Sequence, residues 1–282
     1  MNTLYISLLC ILLYALAFGL KVKSSLSPKK ETPSLPINVL IATGLSVHAV
    51  LLYLHIMNHP QYVNLSIFNT SSLISWFILI ITQLTSMRNA AIDKALLFIL
   101  PVCILSVSCN ELLVDIHHYR PRAMFSPGLL AHIILSIFAY STLTITCVQA
   151  VILFLQEENL KNKRHTRISS WLPPIETTER ILFNLLTFGL LLLSIAMATG
   201  AFFIENIIAQ KMSHKLVFTL FSWLIFTLLL AGRHFRGWRG ITAIKWTLAG
   251  FTALMLAYFG SKFALEIVLN DASTMSFQSN AV

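Results

Sequence analysis

The sequence predicts an all-α fold, a polytopic membrane helical bundle with about eight transmembrane helices and both termini outside. Three observations support this prediction. Hydrophobic residues make up 56% of the 282 residues and charged residues 11%, with a mean hydropathy of +0.77. The apolar residues gather into eight stretches, and the basic residues concentrate in alternate gaps between them. Because too little polar sequence is left for a soluble domain of any size, residues 1–282 are interpreted as a single integral membrane domain.

The apolar stretches predict the helices in chain order. Most of them approach the ~20 residues with which an α-helix crosses ~30 Å of hydrocarbon. The fourth stretch is the shortest and is interrupted by Pro101. In the first stretch the positive charges follow the apolar run, so we interpret it as a retained helix and not as a signal peptide. The eight stretches are 3–20, 38–57, 67–86, 95–110, 129–155, 181–204, 214–231 and 241–268.

The basic residues orient the predicted bundle. Fifteen of the 20 Lys and Arg residues lie in or beside alternate gaps, beginning with the gap after the first stretch. By the positive-inside rule these gaps are cytoplasmic, so both termini lie outside. The net charge of +9 is therefore explained by topology, and no nucleic-acid partner is predicted. The five basic residues on the opposite side are Arg120, Arg122, Lys211, Lys215 and Lys262.

The sequence contains no motif for self-contained catalysis. Its four cysteines form no Cys-x-x-Cys pair, which argues against a thiol–disulfide reductase, a zinc site and a c-type cytochrome. It also lacks a Gly-rich phosphate loop, a Gly-x-Ser-x-Gly elbow and a His-Glu-x-x-His motif. We therefore expect that the protein is not an enzyme. A small-solute transporter is disfavoured because the spans show no mid-membrane carboxylate and no evident inverted repeat.

Two histidines lie where predicted helices enter from outside. His132 is in the first turns of the fifth helix and His214 is in the first turn of the seventh. Ionisable groups in membrane spans are costly and therefore mark candidate functional sites. Two neutral imidazoles at a similar depth can serve as axial ligands of a haem iron. The alternative is that each histidine only caps a helix start or meets the headgroup layer.

Two further histidines, His48 and His55, lie seven residues apart on the second predicted helix. This spacing places them on one face, about 10 Å apart along the axis, with His48 near the middle of the membrane. A histidine at that depth needs a partner, which is a ligand, a backbone carbonyl or a hydroxyl group of another helix. The sequence alone leaves these three alternatives open.

Two connecting segments also carry predictions. The outer segment 110–119 is expected to be a solvated loop, with a short amphipathic helix on the membrane surface as the alternative. The cytoplasmic turn 233–240 is interpreted as structural, because its two glycines permit a reversal between helices. Trp238 is expected to anchor this turn at the interface, and the arginines are expected to hold the topology and contact anionic lipid.

The second half of the chain resembles a known family. Residues 127–157, which include His132, look like the His-containing helix of the CcsA/CcmC-type cytochrome c assembly family. The stretch 172–176 and the segment from His214 to Gly260 fit the same pattern. The resemblance is strongest to the HemX/YpjD-like eight-helix inner membrane branch. It covers residues 127–268 and extends to the first four helices through the His48 helix.

This resemblance implies haem as a cofactor, an inner (plasma) membrane location and a role in haem trafficking or cytochrome maturation. It also implies a partner in cytochrome maturation or haem synthesis, in addition to membrane lipid. His132 fits the family's outer histidine. His214 matches less fully, because the family carries Asp-Pro-Lys-Glu in this stretch and only Lys215 agrees. His48 fits the membrane histidine of the HemX/YpjD branch.

One segment departs from the family pattern. The family has a Trp-rich acidic loop before the position of His214, whereas residues 205–213 contain no tryptophan. Since a porphyrin presented to a partner needs an aromatic stacking surface, we expect haem binding or regulation and not direct delivery to an apocytochrome. The alternative function is a cofactor-free regulatory or scaffold protein that recruits a partner through its basic cytoplasmic loops, above all 156–180 with Arg164 and Arg167.

Overall fold

The structure is a computed structural model that describes residues 3–26, 34–57, 61–87, 89–113, 119–121, 126–162, 172–203 and 213–260. Within these residues, eight segments are long and apolar enough to cross a membrane. The predicted all-α fold with eight transmembrane helices is therefore confirmed. Which end faces outside stays a prediction from the charges, so the two ends are named the predicted outer end and the predicted cytoplasmic end.

The described residues form nine α-helices and two short strands. A single turn, α4, precedes α5, and together they make the fourth span. The last helix continues into a π-helical turn, Leu256–Gly260. The helices are α1 (Thr3–Leu26), α2 (Ser34–Ile56), α3 (Ile67–Ser86), α4 (Ala90–Asp93), α5 (Leu96–Leu112), α6 (Pro127–Lys161), α7 (Ile175–Phe203), α8 (Ser213–Arg236) and α9 (Gly240–Met255), and the strands are β1 (Tyr62–Asn64) and β2 (Tyr119–Pro121).

Several helix boundaries differ from the apolar stretches for identifiable reasons. The α1 helix continues past residue 20 because the Lys21 side chain turns into the protein and pairs with Asp93. Pro101 lies inside α5 without ending it. The α6 helix is 35 residues long and starts where the Ser126 hydroxyl accepts a hydrogen bond from the Leu129 amide at 3.3 Å, which satisfies one free N–H of the first turn.

The transmembrane helices form two four-helix bundles. In the first bundle α1 packs against α2 and α5, and α3 packs against the same two helices, which closes a ring. In the second bundle α6, α7, α8 and α9 form an equivalent ring. Side-chain hydrogen bonds join its helices, from Trp223 Nε1 to Ser194 Oγ at 2.8 Å and from Ser222 Oγ to the Gly250 carbonyl at 2.8 Å.

The two bundles meet along α3 and α6. There the rings of Phe77 and Phe138 pack edge to face with their centroids 5.0 Å apart. A smaller contact joins α4 to α7 through Ile92 and Ile181. One hydrophobic core continues from the first bundle into the second. The α6 helix therefore serves as a wall of its own bundle and as the junction with the other.

The two strands lie at the predicted outer end of the first bundle. β1 and β2 pair antiparallel, with Tyr62 opposite Pro121 and Asn64 opposite Tyr119. At its two described ends, the segment 110–119 therefore forms neither the expected solvated loop nor the alternative surface helix. Helix α5 ends at Leu112, and Tyr119 begins a strand whose backbone is satisfied by β1. Residues 114–118, with His117 and His118, lie outside the described residues.

Candidate functional site

His132 lies in the second turn of α6, half-buried against α7. Its Nδ1 atom is 2.8 Å from the carbonyl oxygen of Ala196. Since a carbonyl oxygen can only accept, Nδ1 donates this hydrogen bond, and in the neutral ring the lone pair lies on Nε2. Among the described residues, Nε2 has no hydrogen-bond partner. A ring held through one nitrogen with the other left open has the arrangement found in metal-ligating histidines.

The approach of this ring to α7 depends on Gly200. A Cβ atom at this position would lie 2.8 Å from His132 Cε1 and 3.1 Å from Nδ1. Ala196 is one turn earlier on the same face of α7, and Thr199 Oγ1 lies 3.5 Å from Nδ1. The Thr199 hydroxyl itself donates to the carbonyl of Ala196 at 2.9 Å. The small residues of α7 thus allow the imidazole to reach the backbone.

Two aromatic residues and a lysine complete this end of the second bundle. Lys215, in the first turn of α8, has its Nζ atom 5.2 Å from the centroid of the Tyr258 ring. The Tyr258 ring lies 5.9 Å from that of Tyr140 on α6. Lys215 and His132 thus lie at the same end of the second bundle, in the first turns of α8 and α6. We call His132, Gly200, Lys215, Tyr258 and Tyr140 the His132 site.

The π-helical turn at the end of α9 was not foreseen from the sequence. It carries Tyr258 and packs against α8. Such turns insert one residue into the helical repeat and often occur at functional sites. The Tyr140 hydroxyl contacts the sulfur of Met255 just before this turn. The sequence signal that could have found this part of the site is Tyr140, an aromatic residue eight positions after His132 on α6. Its pairing with Tyr258 could not be predicted, because it depends on the fold.

The predicted ligand His214 lies in the first turn of α8, one residue before Lys215. The structure therefore brings the start of this helix to the same end of the second bundle as His132. The side chain of His214 is outside the described part of the structure. Its pairing with His132 as a haem ligand stays a prediction.

His48 occupies the centre of the first bundle and is fully buried. Its Nδ1 atom is 3.2 Å from the Tyr14 hydroxyl on α1, and its Nε2 atom is 2.8 Å from the Ser72 hydroxyl on α3. Gly44 makes room for Tyr14, since a Cβ there would lie 2.6 Å from Tyr14 Cε1. Both ring nitrogens are thus engaged. The role of His48 in cofactor binding stays a prediction, and ligation would require it to release one of these hydroxyls.

A second polar group of the first bundle lies at its predicted outer end. Asn110 Nδ2 donates to His55 Nδ1 at 3.0 Å, and His55 Nε2 faces Glu111 Oε2 at 3.6 Å. The other Glu111 oxygen accepts from the Thr3 hydroxyl at 3.1 Å. The segment expected to be a solvated loop, or alternatively a surface helix, had included Glu111, which instead faces the bundle. The sequence signal that could have found this group is the polar pair Asn110 and Glu111, which follows an apolar stretch and lies at the level of His55.

The predicted cytoplasmic end of the second bundle is closed by an ion-pair cluster. Glu179 is 4% exposed, and its Oε1 atom accepts from Arg233 Nη1 at 2.7 Å and from Arg239 Nε at 2.9 Å. Trp238 packs against Gly232 and against Trp246, with indole centroids 5.3 Å apart. These contacts support the interpretation of this turn as structural, and its contact with anionic lipid stays a prediction. Positive φ angles at Gly237 (65°) and Gly240 (52°) confirm that the glycines permit the reversal.

No group of three or more His, Cys, Asp or Glu side chains among the described residues is arranged to hold a metal ion. The four cysteines are all free. A haem iron needs fewer protein ligands, since the porphyrin supplies four of its six donors and a histidine can supply an axial one. The half-buried His132 ring with its open Nε2 fits this requirement. The engaged His48 ring does not fit it in the described conformation.

Comparisons with known proteins agree with this architecture. Residues 37–269 match the family described as "Cytochrome C assembly protein". The chain is 31% identical over 207 residues to "Inner membrane protein YpjD" of Escherichia coli strain K12, which covers 73% of this chain and 76% of that protein. It is 33% identical over 140 residues to an uncharacterized 28.8 kDa protein of Azospirillum brasilense, covering 49% of this chain and 52% of that protein.

No solved structure matches the chain. The predicted inner membrane location is confirmed by the similarity to YpjD together with the eight membrane-length helices. The family match covers most of both bundles and includes His48, His132 and His214. The chain belongs to the cytochrome c assembly protein family.

Proposed function

We propose that the protein binds haem at the predicted outer end of its second bundle, with His132 as an axial ligand and His214 as the second. It acts in haem trafficking or cytochrome maturation, together with a maturation or haem-synthesis partner, and it does not turn over a substrate. The observation that carries the proposal is the His132 ring, which donates from Nδ1 to the Ala196 carbonyl and whose Nε2 has no hydrogen-bond partner among the described residues.

The surroundings of His132 suit this role. The hydrogen bond to Ala196 fixes the tautomer and the orientation of the ring, which raises its basicity as a ligand. Gly200 holds the ring close to the α7 backbone, so it does not need to be reoriented before binding. When bound, haem supplies an iron whose axial positions take imidazole nitrogens. The protein supplies the orientation of the nitrogen and the apolar surroundings.

His48 enters the proposal in a different way. Its two hydrogen bonds, to Tyr14 and Ser72, tie α1, α2 and α3 together at the depth where unpaired polar groups are most costly. This supports a structural role for the described conformation. Haem ligation by His48 belongs to a second state in which the ring leaves Ser72, and a variant of His48 tests whether that state exists.

The test is the visible absorption spectrum of the protein purified in mild detergent from haem-replete cells, oxidised and reduced. We compare the wild type with His132→Ala, His214→Ala and a control, His234→Ala. His234 is exposed at the opposite end of α8 and pairs only with the neighbouring Phe235 ring among the described residues. Loss of an axial ligand should lower haem occupancy by at least about tenfold, the smallest loss seen on removing a second-shell partner.

The expected result is a Soret band with low-spin reduced features in the wild type and in His234→Ala, and its loss in both other variants. Full haem stoichiometry in His132→Ala would contradict the proposal. A wild-type protein that is colourless and takes up no added haemin would also contradict it. That outcome would favour the cofactor-free scaffold, whose docking loop includes residues 163–171 outside the described part of the chain.

A further inference from the structure

We propose that Lys215 binds an acidic group of the ligand held by His132, so that the site selects a porphyrin that carries a propionate carboxylate. This inference rests on the proposed function and deepens it. It assigns a role to a charged side chain that the ligation of an iron does not itself require. The surroundings of the Lys215 ammonium group support it.

Lys215 carries a charge that the described residues leave without an acidic partner. It is half-buried in the first turn of α8, which contains no acidic residue. A cation in the first turn also faces the positive end of the helix dipole. Its described contact is the face of the Tyr258 ring at 5.2 Å, which stabilises an ammonium group without neutralising it.

The carboxylates that the structure describes all lie elsewhere. Asp93 pairs with Lys21, and Glu111 lies at the end of the first bundle. Glu179 is held by two arginines at the opposite end of the second bundle. The remaining ones, Glu157, Glu158 and Glu176, flank that same opposite end, at the close of α6 and the start of α7. None of them is placed to neutralise Lys215.

The nitrogen and the cation that the described residues leave without an acidic or hydrogen-bonding partner lie at the same end of the second bundle. The Tyr258 ring that Lys215 contacts lies against Tyr140, two turns from His132 on α6. A ligand that fits would therefore present a metal centre to Nε2 and an anion to Nζ. Haem combines these two features, because its propionates extend from one edge of the ring. A lysine ammonium group recognises such a carboxylate as a point charge.

The test uses the full-length protein in neutral detergent and two probes, haemin and haemin dimethyl ester, whose carboxylates are masked. Each is titrated into the wild type, Lys215→Gln, Lys215→Arg and a matched control, Lys245→Gln. Lys245 is exposed on α9 near the opposite end of the bundle. Loss of one charge-assisted hydrogen bond should weaken haemin binding by about tenfold or more.

The expected result is a weaker haemin complex in Lys215→Gln, with little change in Lys215→Arg and Lys245→Gln. Binding of the dimethyl ester should be the same in all four proteins. Equal losses for haemin and its ester in Lys215→Gln would show a packing role and overturn the inference. Unchanged haemin binding in Lys215→Gln would overturn it as well.

A lipid phosphate is a second source of an anion at this depth. The titrations are therefore repeated with added phosphatidylglycerol. If Lys215→Gln binds haemin as the wild type does but binds less phosphatidylglycerol, the anion is a lipid phosphate and the porphyrin assignment fails. A titration of His132→Ala with the dimethyl ester tests the ligation separately. If this variant binds the ester as the wild type does, the proposed function itself fails, regardless of the result obtained with the Lys215 variants.

Discussion

The two bundles place a histidine among helices in opposite ways. In the first bundle, His48 is fully buried and both of its nitrogens meet hydroxyl groups, from Tyr14 and Ser72. In the second bundle, His132 is half-buried, and one nitrogen meets a backbone carbonyl while the other is open among the described residues. The comparison teaches that depth alone does not identify a ligand-binding histidine. The number of nitrogen atoms already engaged is the reason why His132, and not His48, is the proposed ligand in the described conformation.

The largest expected effect separates the two histidines by stability. We expect His48→Ala to lower the free energy of unfolding by about 2–4 kcal/mol, because it opens a cavity and leaves the Tyr14 and Ser72 hydroxyls without their partner. Haem occupancy per folded protein should stay unchanged. The measurements are thermal unfolding in detergent and the Soret absorbance of the folded fraction. A stable His48→Ala protein without haem would instead make His48 the ligand and remove the contrast between the bundles.

The glycines beside the two histidines give the next test. Gly44→Ala forces Tyr14 from its buried position, and overpacking of this kind costs about 1–3 kcal/mol. Gly200→Ala pushes against His132, whose half-buried ring has room to swing away from α7. We therefore expect Gly44→Ala to lose stability and keep haem, and Gly200→Ala to keep stability and lose haem. Thermal unfolding and the Soret absorbance of the folded fraction measure these two effects. Identical behaviour of the two variants would contradict the comparison.

The smallest effects come from removing one hydroxyl group near each ring. Tyr14→Phe leaves His48 Nδ1 without its partner and should cost about 1–2 kcal/mol. Thr199→Val removes a contact that, at 3.5 Å, lies at the limit of a hydrogen bond, and the Ala196 carbonyl still holds the ring. We expect a change below about 0.5 kcal/mol and normal haem occupancy. Thermal unfolding of the two variants measures both changes in stability. A larger loss of stability in Thr199→Val would show that Thr199 helps to orient His132.

The helices could be predicted from the sequence because crossing a membrane constrains length and polarity locally. The boundaries that were missed depend on distant residues. Lys21 extends α1 because Asp93, on another span, pairs with it. Glu179 is buried because Arg233 and Arg239, far along the chain, surround it. Apolar periodicity carries no information about such pairs, so from the sequence these charges indicate topology only.

The candidate site was predictable in part. His132 could be singled out because a histidine in a membrane span is rare and costly. The tautomer of His132 could not be predicted, since the Ala196 carbonyl that fixes it belongs to another helix. For His48 three classes of partner were predicted, and the structure selects hydroxyl groups. Tyr258 was missed because a π-helical turn, which the sequence does not announce, directs it toward α6 and α8.

Each ring of helices is drawn from one continuous half of the chain. During synthesis, the first bundle has all its walls once α5 has been made, whereas His132 is made long before Lys215 and Tyr258. Since translation adds about 5–20 residues per second, the histidine waits several seconds for its neighbours. On the proposed function, ligand capture is therefore a late event, and a nascent chain that stopped before α9 would present His132 without the Tyr258 and Tyr140 pair beside Lys215.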